Sequence, residues 1–479
     1  MDYFMQNFFD DLYNNAHHYF NGVDNFHPEQ QYFFIRQLSN AFNAYQKSAL
    51  KMFNVGDDEA YNVLAESYLS RVGYFMDDLR NSATFLNVQL TPHDSFTIGK
   101  DVATTAGEVI FSNELFELIQ YKPIHNEAHS TPILFIPSVI NKYYILDLTP
   151  QKSIVRWLLE KKYTVFMISW RNPDQDMDKC NVSDYVLNGV VKALSVITKI
   201  VRKRAIHTVG YCLGGTLLAL AASYYKKKNI TSKIKTTSFL ATLLDFSSPG
   251  DLVFFIKTPI CQFLLSDAND RKYFDGRDLN VIFNLLRENT LYWNYYLNRY
   301  FSDTPSAISD FLFWSGDGMN LHIEFLRDIS NDFYLSNKFT SKEGIKIGDV
   351  YVNIENLNTP SYFVATQSDH ITPWRACFMS AKKITAPCQF VLGKSGHVAG
   401  IINPPNQNKY GFWINPLASA DQDEWLENAQ YCSGSWWEHW YSWLSEHQKG
   451  TNLIPPPVLG NKDFPAGGNA PGLYVLGKC

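Results

Sequence analysis

The sequence predicts an α/β fold in which a mostly parallel sheet is flanked by helices, and three observations predict it. From Phe96 onward, short apolar runs alternate with helical stretches, the texture of a sheet whose neighbouring strands are joined by crossover helices. One such run, Ile206 to Val209, passes directly into a helical stretch, Leu217 to Tyr225, through the turn Gly210-Tyr211-Cys212-Leu213-Gly214. Between Asp245 and about Glu355, roughly a hundred residues intervene where one strand–helix unit needs about 30, so something is inserted there. The turn narrows the class to an α/β-hydrolase fold. A G-x-C-x-G elbow between strand and helix is the nucleophile position of that fold, here with cysteine where lipases carry serine.

Taken in order, residues 1–95 read as a helical N-terminal region. Apolar residues recur at helical spacing in Tyr32-Phe33-Phe34-Ile35 through Phe42, and again at Val63, Tyr68, Val72 and Phe75. Residues 96–479 read as the catalytic domain. Its strands are expected at Ile133–Ile136, Val165–Ser169, Ile206–Gly210, Ser238–Leu244, Tyr362–Ala365 and Gln389–Leu392. The insertion, about 246–355, contains Trp293-Asn294-Tyr295-Tyr296 and Phe311-Leu312-Phe313-Trp314 and suits a helical cap. Further on, Trp436, Trp437, Trp440 and Trp443 stand at helical spacing, which fits a helix packed on the sheet. The Gly/Pro-rich tail after Pro455-Pro456-Pro457 reads as extended chain lying on the domain.

Composition bounds the function. A net charge of -5 in 479 residues gives no global basic field, so neither nucleic acid nor an anionic membrane is an expected partner. Seven cysteines without a C-x-x-C pair describe free thiols in a reducing cytosol. The start Met1-Asp2-Tyr3-Phe4-Met5-Gln6 lacks the basic and apolar stretches of a signal peptide. Apolar runs such as Leu217 to Ala222 fall far short of the roughly 20 residues that span a bilayer. No metal is expected, because the histidines and cysteines lack ligand spacing, and no cofactor is expected either. Aromatic residues make up 15%, enough to fill a core and still line an apolar channel.

A cysteine nucleophile needs a base and a group that orients the base, and this fold supplies them in the order nucleophile, acid, histidine. Cys212 has them in that order. Asp369 lies in Ser368-Asp369-His370-Ile371-Thr372-Pro373-Trp374, just past the expected strand at Tyr362–Ala365. His397 lies in Lys394-Ser395-Gly396-His397-Val398-Ala399-Gly400, just past the last expected strand. Alone, Asp369 is as well read as a cap for a helix starting near Pro373, and Cys212 as a small core hydrophobe. Order and position together make them a triad. His370 is the competing base. For the oxyanion hole the fold uses the backbone N–H after the nucleophile, here Leu213, and a second from the loop Pro137-Ser138-Val139-Ile140-Asn141, which we assign to Val139.

With these residues in place, the chain resembles the poly(3-hydroxyalkanoate) synthases, especially the single-subunit type acting on short-chain substrates. The elbow Gly210–Thr216 carries the likeness, with Ile140-Asn141-Lys142-Tyr143-Tyr144-Ile145-Leu146-Asp147-Leu148, Ser169-Trp170-Arg171-Asn172-Pro173-Asp174 and Leu244-Asp245-Phe246-Ser247-Ser248-Pro249-Gly250. Ser395 to Pro405 and the ending Ala470-Pro471-Gly472-x-Tyr474-Val475 match as well. The likeness covers about Phe96 to Val475. It implies an acyltransferase whose triad is Cys212, Asp369 and His397. Its substrate would be an (R)-3-hydroxyacyl-CoA, with CoA both part of the substrate and a product. The polyester would grow through acyl-cysteine intermediates at a cytoplasmic granule surface, with a second copy of the chain as partner. Two departures stand out. The N-terminal region is shorter than is usual for the type, and Met319 in Trp314-Ser315-Gly316-Asp317-Gly318-Met319-Asn320 replaces the usual Thr, which bears on acyl length. The same triad with water admitted would make a thioesterase or depolymerase, and a vestigial triad would leave a granule-coat protein.

Overall fold

Strands that are covered on both faces read as near-continuous apolar runs, and this requirement shapes the centre of the molecule. The computed structural model describes residues 91–92, 94–177, 179–202, 204–230, 233–257, 272–285, 308–417, 421–448 and 453–479. The helical reading of residues 1–90 and the Trp293–Tyr296 part of the insertion lie outside the described residues. The chain divides into two compact units: Met1–Ser95, Phe254–Phe263 and Arg277–Gly316 form one, and Phe96–Val253, Leu264–Gly276 and Asp317–Cys479 form the other. Among the described residues of the first is the helix Asp310–Gly316, with Trp314 buried.

The second unit is built on one eleven-stranded sheet. Its strands in chain order are β1 (Gly107–Ser112), β2 (Phe116–Tyr121), β3 (Ile133–Ile136), β4 (Val165–Trp170), β5 (Ile206–Tyr211) and β6 (Ile234–Leu240), followed by β7 (Ser361–Thr366), β8 (Cys388–Gly393), β9 (Phe412–Ile414), β10 (Gln430–Cys432) and β11 (Gly468–Asn469). Across the sheet they run β10-β9-β8-β7-β6-β5-β3-β4-β2-β1-β11. The six central strands, β8 to β4, are parallel. All residues of β3, β4, β5 and β7 are buried. Antiparallel strands close both sides. At the β1–β2 turn the Asn113 carboxamide oxygen accepts the amides of Leu115 and Phe116, local bonds that let three residues reverse the chain. Helices α1 (Ile154–Glu160), α2 (Lys192–Ile200), α3 (Leu213–Lys227), α4 (Trp374–Lys382) and α5 (Trp436–Glu446) belong to this unit.

Five of the six expected strands stand within a residue or two of their observed limits. The sixth is displaced: β6 spans Ile234–Leu240, not Ser238–Leu244. Ala241 takes a left-handed φ of 44° and turns the chain out of the sheet, while Leu243 and Leu244 stay buried as loop residues. Burial, not pairing, keeps that stretch apolar. Helix α3 starts four residues earlier than its apolar run suggests, at Leu213, because Gly214 and Gly215 are its first turn.

The tryptophan stripe forms α5, capped by the Ser435 hydroxyl, which accepts the Trp437 amide at 3.1 Å. Trp436, Trp437 and Trp440 are fully buried, and each indole N–H has a partner: the Gly400 carbonyl at 3.0 Å, the Ile401 carbonyl at 2.9 Å and the Ser238 hydroxyl at 2.9 Å. Two of these carbonyls follow His397 by only a few residues. The tail is tied down by β11 on β1 and by the Glu117 carboxylate, which accepts the amides of Leu473 and Tyr474 at 2.9 and 3.0 Å. Among the described residues, six cysteines are free thiols, and no helix is long and apolar enough to cross a membrane.

One buried titratable group sits at the far end of β5. The His207 imidazole bonds the Thr236 hydroxyl at 2.7 Å and lies 3.3 Å from the Gln448 amide nitrogen. Burial, helped by the charges of His447, Lys235 and His129, pulls its pKa down to about 3. The unfolded chain therefore binds a proton between about pH 6.5 and 3 that the folded chain refuses, and stability falls as the pH drops through that window. In His207→Asn the loss between pH 6.5 and 4 should shrink by on the order of a few kcal/mol. Urea midpoints of both proteins at pH 7 and pH 4.5 measure it. Parallel losses would assign acid sensitivity elsewhere.

Candidate active site

The elbow is a matter of space before it is a matter of chemistry. Cys212 closes β5 onto α3 with φ 54° and ψ -127°, a conformation sparsely populated by L residues that costs about 1–3 kcal/mol. A methyl group on Gly210 would overlap the Gly215 backbone, one on Gly214 the carbonyl oxygens of Ile136 and Pro137, and one on Gly215 the Thr242 side chain. The Cys212 amide donates to the Leu240 carbonyl at 2.9 Å and the Thr242 hydroxyl to the Cys212 carbonyl at 3.2 Å, so the sulfur is carried at the edge of a fixed turn.

Asp369 and His397 follow β7 and β8. Register pairs Thr366 with Gly393, the last residues of the two strands, so the loops beyond them emerge side by side. His397 Nδ1 lies 2.7 Å from Asp369 Oδ2, with both side chains buried. Asp369 Oδ2 also accepts the hydroxyls of Thr372 at 2.8 Å and Thr366 at 3.3 Å, while Oδ1 accepts the amides of Ile371 and Thr372, each at 2.9 Å. One carboxylate thus caps a turn and orients an imidazole. Burial alone would raise the Asp369 pKa, but the His397 charge and these donors hold it below the usual carboxylate range.

Burial pulls the His397 pKa down, yet the Asp369 charge, the Cys212 charge and hydrogen bonds to both hold it up at about 10. The structure therefore brings Cys212, His397 and Asp369 together in one chain of contacts. Of the two candidate bases, His397 carries a hydrogen bond to Asp369. Tyr211 braces it from below: its ring lies 5.4 Å from the imidazole, and its hydroxyl donates to the His397 carbonyl at 3.4 Å.

Leu213 is the first residue of α3, so its amide is one of the four at a helix start without an intrahelical acceptor. Val139 is buried in the loop after β3. The close approach of Gly214 to Ile136 and Pro137 sets that loop directly against the elbow. The buried Trp170 indole donates to the Pro137 carbonyl at 3.0 Å, and the Ser138 hydroxyl accepts the Ile140 amide at 3.2 Å. A loop set against the elbow, beside a helix-start amide and an oriented imidazole, can stabilise a tetrahedral oxyanion during acyl transfer.

Sequence reasoning gave no role to Thr366, Thr372, Tyr211 or Trp170. Trp170, Tyr211 and Thr372 stand inside motifs named above; Thr372 bonds Asp369 within its own motif, whereas the partners of Trp170 and Tyr211, the Pro137 and His397 carbonyls, are fixed only by the folded chain. Tyr334 is a further buried neighbour of Cys212, its phenol pKa pushed up by burial and by the cysteine's charge. Edge-on contact with Phe246, at 5.0 Å, holds its ring. No sequence pattern pointed to it.

Residues 2–158 match the family described as poly-beta-hydroxybutyrate polymerase (PhaC) N-terminus, and residues 131–404 match the alpha/beta hydrolase fold. The chain is 35% identical over 419 residues to the poly(3-hydroxyalkanoate) polymerase subunit PhaC of Cupriavidus necator, covering 86% of this chain and 70% of that protein. It is 34% identical over 466 residues to the poly(3-hydroxyalkanoate) polymerase of Methylorubrum extorquens, covering 96% and 75%. With poly(3-hydroxyalkanoate) polymerase 2 of Ectopseudomonas oleovorans it shares 35% over 421 residues, covering 87% and 74%. Among solved structures, a monoacylglycerol lipase of Paleococcus ferrophilus is similar at a TM-score of 0.37 and 12% identity, over 59% of this chain and 90% of that one. The chain belongs to the poly(3-hydroxyalkanoate) polymerase family, acyltransferases built on the α/β-hydrolase fold.

Proposed function

We propose that the chain polymerises (R)-3-hydroxyacyl-CoA, short-chain units such as 3-hydroxybutyryl-CoA, through acyl-cysteine intermediates on Cys212. The observation that carries this reading is the 2.7 Å bond between His397 and Asp369 beside a cysteine on the elbow. His397 takes the thiol proton, and the resulting thiolate is the nucleophile. The sulfur attacks the thioester carbonyl, and the oxyanion falls to the amides of Leu213 and Val139. The bond to CoA breaks, the proton returns to the CoA sulfur, and the acyl group stays on Cys212. Thioester exchange is nearly isoenergetic, so loading onto cysteine makes no thermodynamic trap.

Elongation needs the 3-hydroxyl of one unit to attack an acyl-cysteine. The hydroxyl proton passes to a base, an ester forms, and the Cys212 thiolate is released. Asp369 Oδ2 already accepts from His397 and Thr372, which favours His397 as that base over Asp369 acting directly. Water must be kept from the acyl-cysteine, and the aromatic surroundings, Tyr211 and Tyr334 among them, suit a dry site. The polyester, insoluble as it lengthens, would hold the chain at a cytoplasmic granule surface, with a second copy as partner.

The test is CoA release from (R)-3-hydroxybutyryl-CoA by the purified chain, with the product sized. High-mass insoluble polyester is the expected product. Free 3-hydroxybutyrate alone would make it a thioesterase and sink the polymerase reading, and no turnover of this or longer 3-hydroxyacyl-CoA would leave a granule-associated, non-catalytic role.

A further inference from the structure

An oxyanion hole works only if its loop donor is held still, and the Pro137–Asn141 loop is fastened by a segment distant in sequence. The Met319 amide donates to the Ile140 carbonyl at 2.9 Å, and Asn141 bridges Gly318 in antiparallel fashion. At the next residue, the Lys142 ammonium meets Asp317 Oδ1 at 2.8 Å, the two side chains being only 2% and 16% exposed. Tyr144 donates its hydroxyl to Asp317 Oδ2, also at 2.8 Å. Asn320 completes the strap: its amide donates to Asn172 Oδ1 at 2.7 Å and its carboxamide to the Pro173 carbonyl at 2.9 Å, beside the Trp170 that holds Pro137. The loop is thus gripped from both flanks.

We propose that Asp317 is a positioning residue for acyl transfer: its carboxylate, shared between Lys142 and Tyr144, clamps strap 317–320 onto the loop and fixes the Val139 amide against the elbow. The inference rests on the oxyanion role proposed for Val139. Removing one oxyanion donor costs about 100- to 1000-fold, and a loop displaced by about 1 Å loses much of the same stabilisation. Asp317 touches none of the reacting atoms, and its effect passes through the position of the loop. Loss of its charge also takes a carboxylate from beside the buried Lys142 ammonium, which drives the strap to rearrange.

Two chemistries at one sulfur separate positioning from collapse. Iodoacetamide alkylates Cys212 at a tetrahedral carbon, displaces iodide and develops no oxyanion. p-Nitrophenyl butyrate acylates the same sulfur through a tetrahedral oxyanion and releases p-nitrophenolate. In Asp317→Asn the acylation burst should slow at least tenfold while the alkylation rate stays within twofold of wild type. Tyr144→Phe removes one hydrogen bond and no charge, so it guards against a variant that fails to fold, and it should show a smaller loss in the same direction. Unchanged acylation in both variants, or acylation and alkylation falling together, would overturn the proposal. Because the ester probe needs no CoA thioester, a chain that fails to polymerise yet shows the split would refute the substrate reading alone.

Discussion

Cys212→Ala is expected to lower CoA release by at least about a thousandfold, because removal of a nucleophile leaves only what binding and the oxyanion donors supply. Stability should move the other way at the same site. Cys212 sits at φ 54° and ψ -127°, where every L side chain is strained and glycine is not. Alanine keeps the strain. Cys212→Gly relieves it, at a cost of about 0.4–1 kcal/mol in added freedom of the unfolded chain, so a net gain of about 1 kcal/mol is expected. An inactive Cys212→Gly with a higher unfolding midpoint than Cys212→Ala would show that the elbow holds strain for the sake of its sulfur. Equal midpoints would show the turn to be relaxed, and CoA release persisting in Cys212→Ala would move the nucleophile elsewhere.

Asp369→Asn should cost about 1000- to 10,000-fold in CoA release with little change in KM. The carboxylate accepts from His397 Nδ1, which leaves Nε2 as the nitrogen for Cys212. A carboxamide at 369 can offer its NH2 to Nδ1 and favour the opposite tautomer. The pH dependence carries a second signature. His397 is held up at about 10, above its ordinary 6.5, so its protonation stabilises the fold fully below about pH 6.5 and that contribution is lost as the pH rises through about 10. Asp369 is held below its ordinary 3.8, so its contribution stands above that value and is lost as acid protonates it. Wild type should therefore exceed Asp369→Asn in stability most between about pH 4 and 6.5, with the gap narrowing toward pH 10. Denaturation midpoints at pH 6, 8 and 10 read it directly. A gap that widened with pH would mean that the imidazole is neutral at rest.

Much of the parallel sheet was legible because strands covered on both faces read as near-continuous apolar runs: Ile133–Ile136 is apolar throughout, and Val165–Trp170 is but for Ser169. The antiparallel margins were not. Glu108, Glu117 and Gln120 interrupt β1 and β2 and blur the strand signal, and β9, β10 and β11 have only two or three residues each. The limits of β6 were misread because a buried loop and a buried strand look alike in hydrophobicity, and only the backbone of Ala241 separates them.

By itself the sequence determined the elbow, since Gly210, Gly214 and Gly215 stand where any larger residue would collide with backbone or side chain, and it determined the order of Cys212, Asp369 and His397. It also determined that the Trp436 stripe is a buried helical face. Tertiary structure alone decided what surrounds them. Tyr211 under His397, the indoles of α5 on the loop after His397, and Asp317 between Lys142 and Tyr144 join residues far apart in the chain. The reason is physical. Local patterns record what a residue needs from its neighbours in sequence, whereas a hydrogen bond across the fold exists only once burial has removed water and left each polar group to the partners the fold brings within reach.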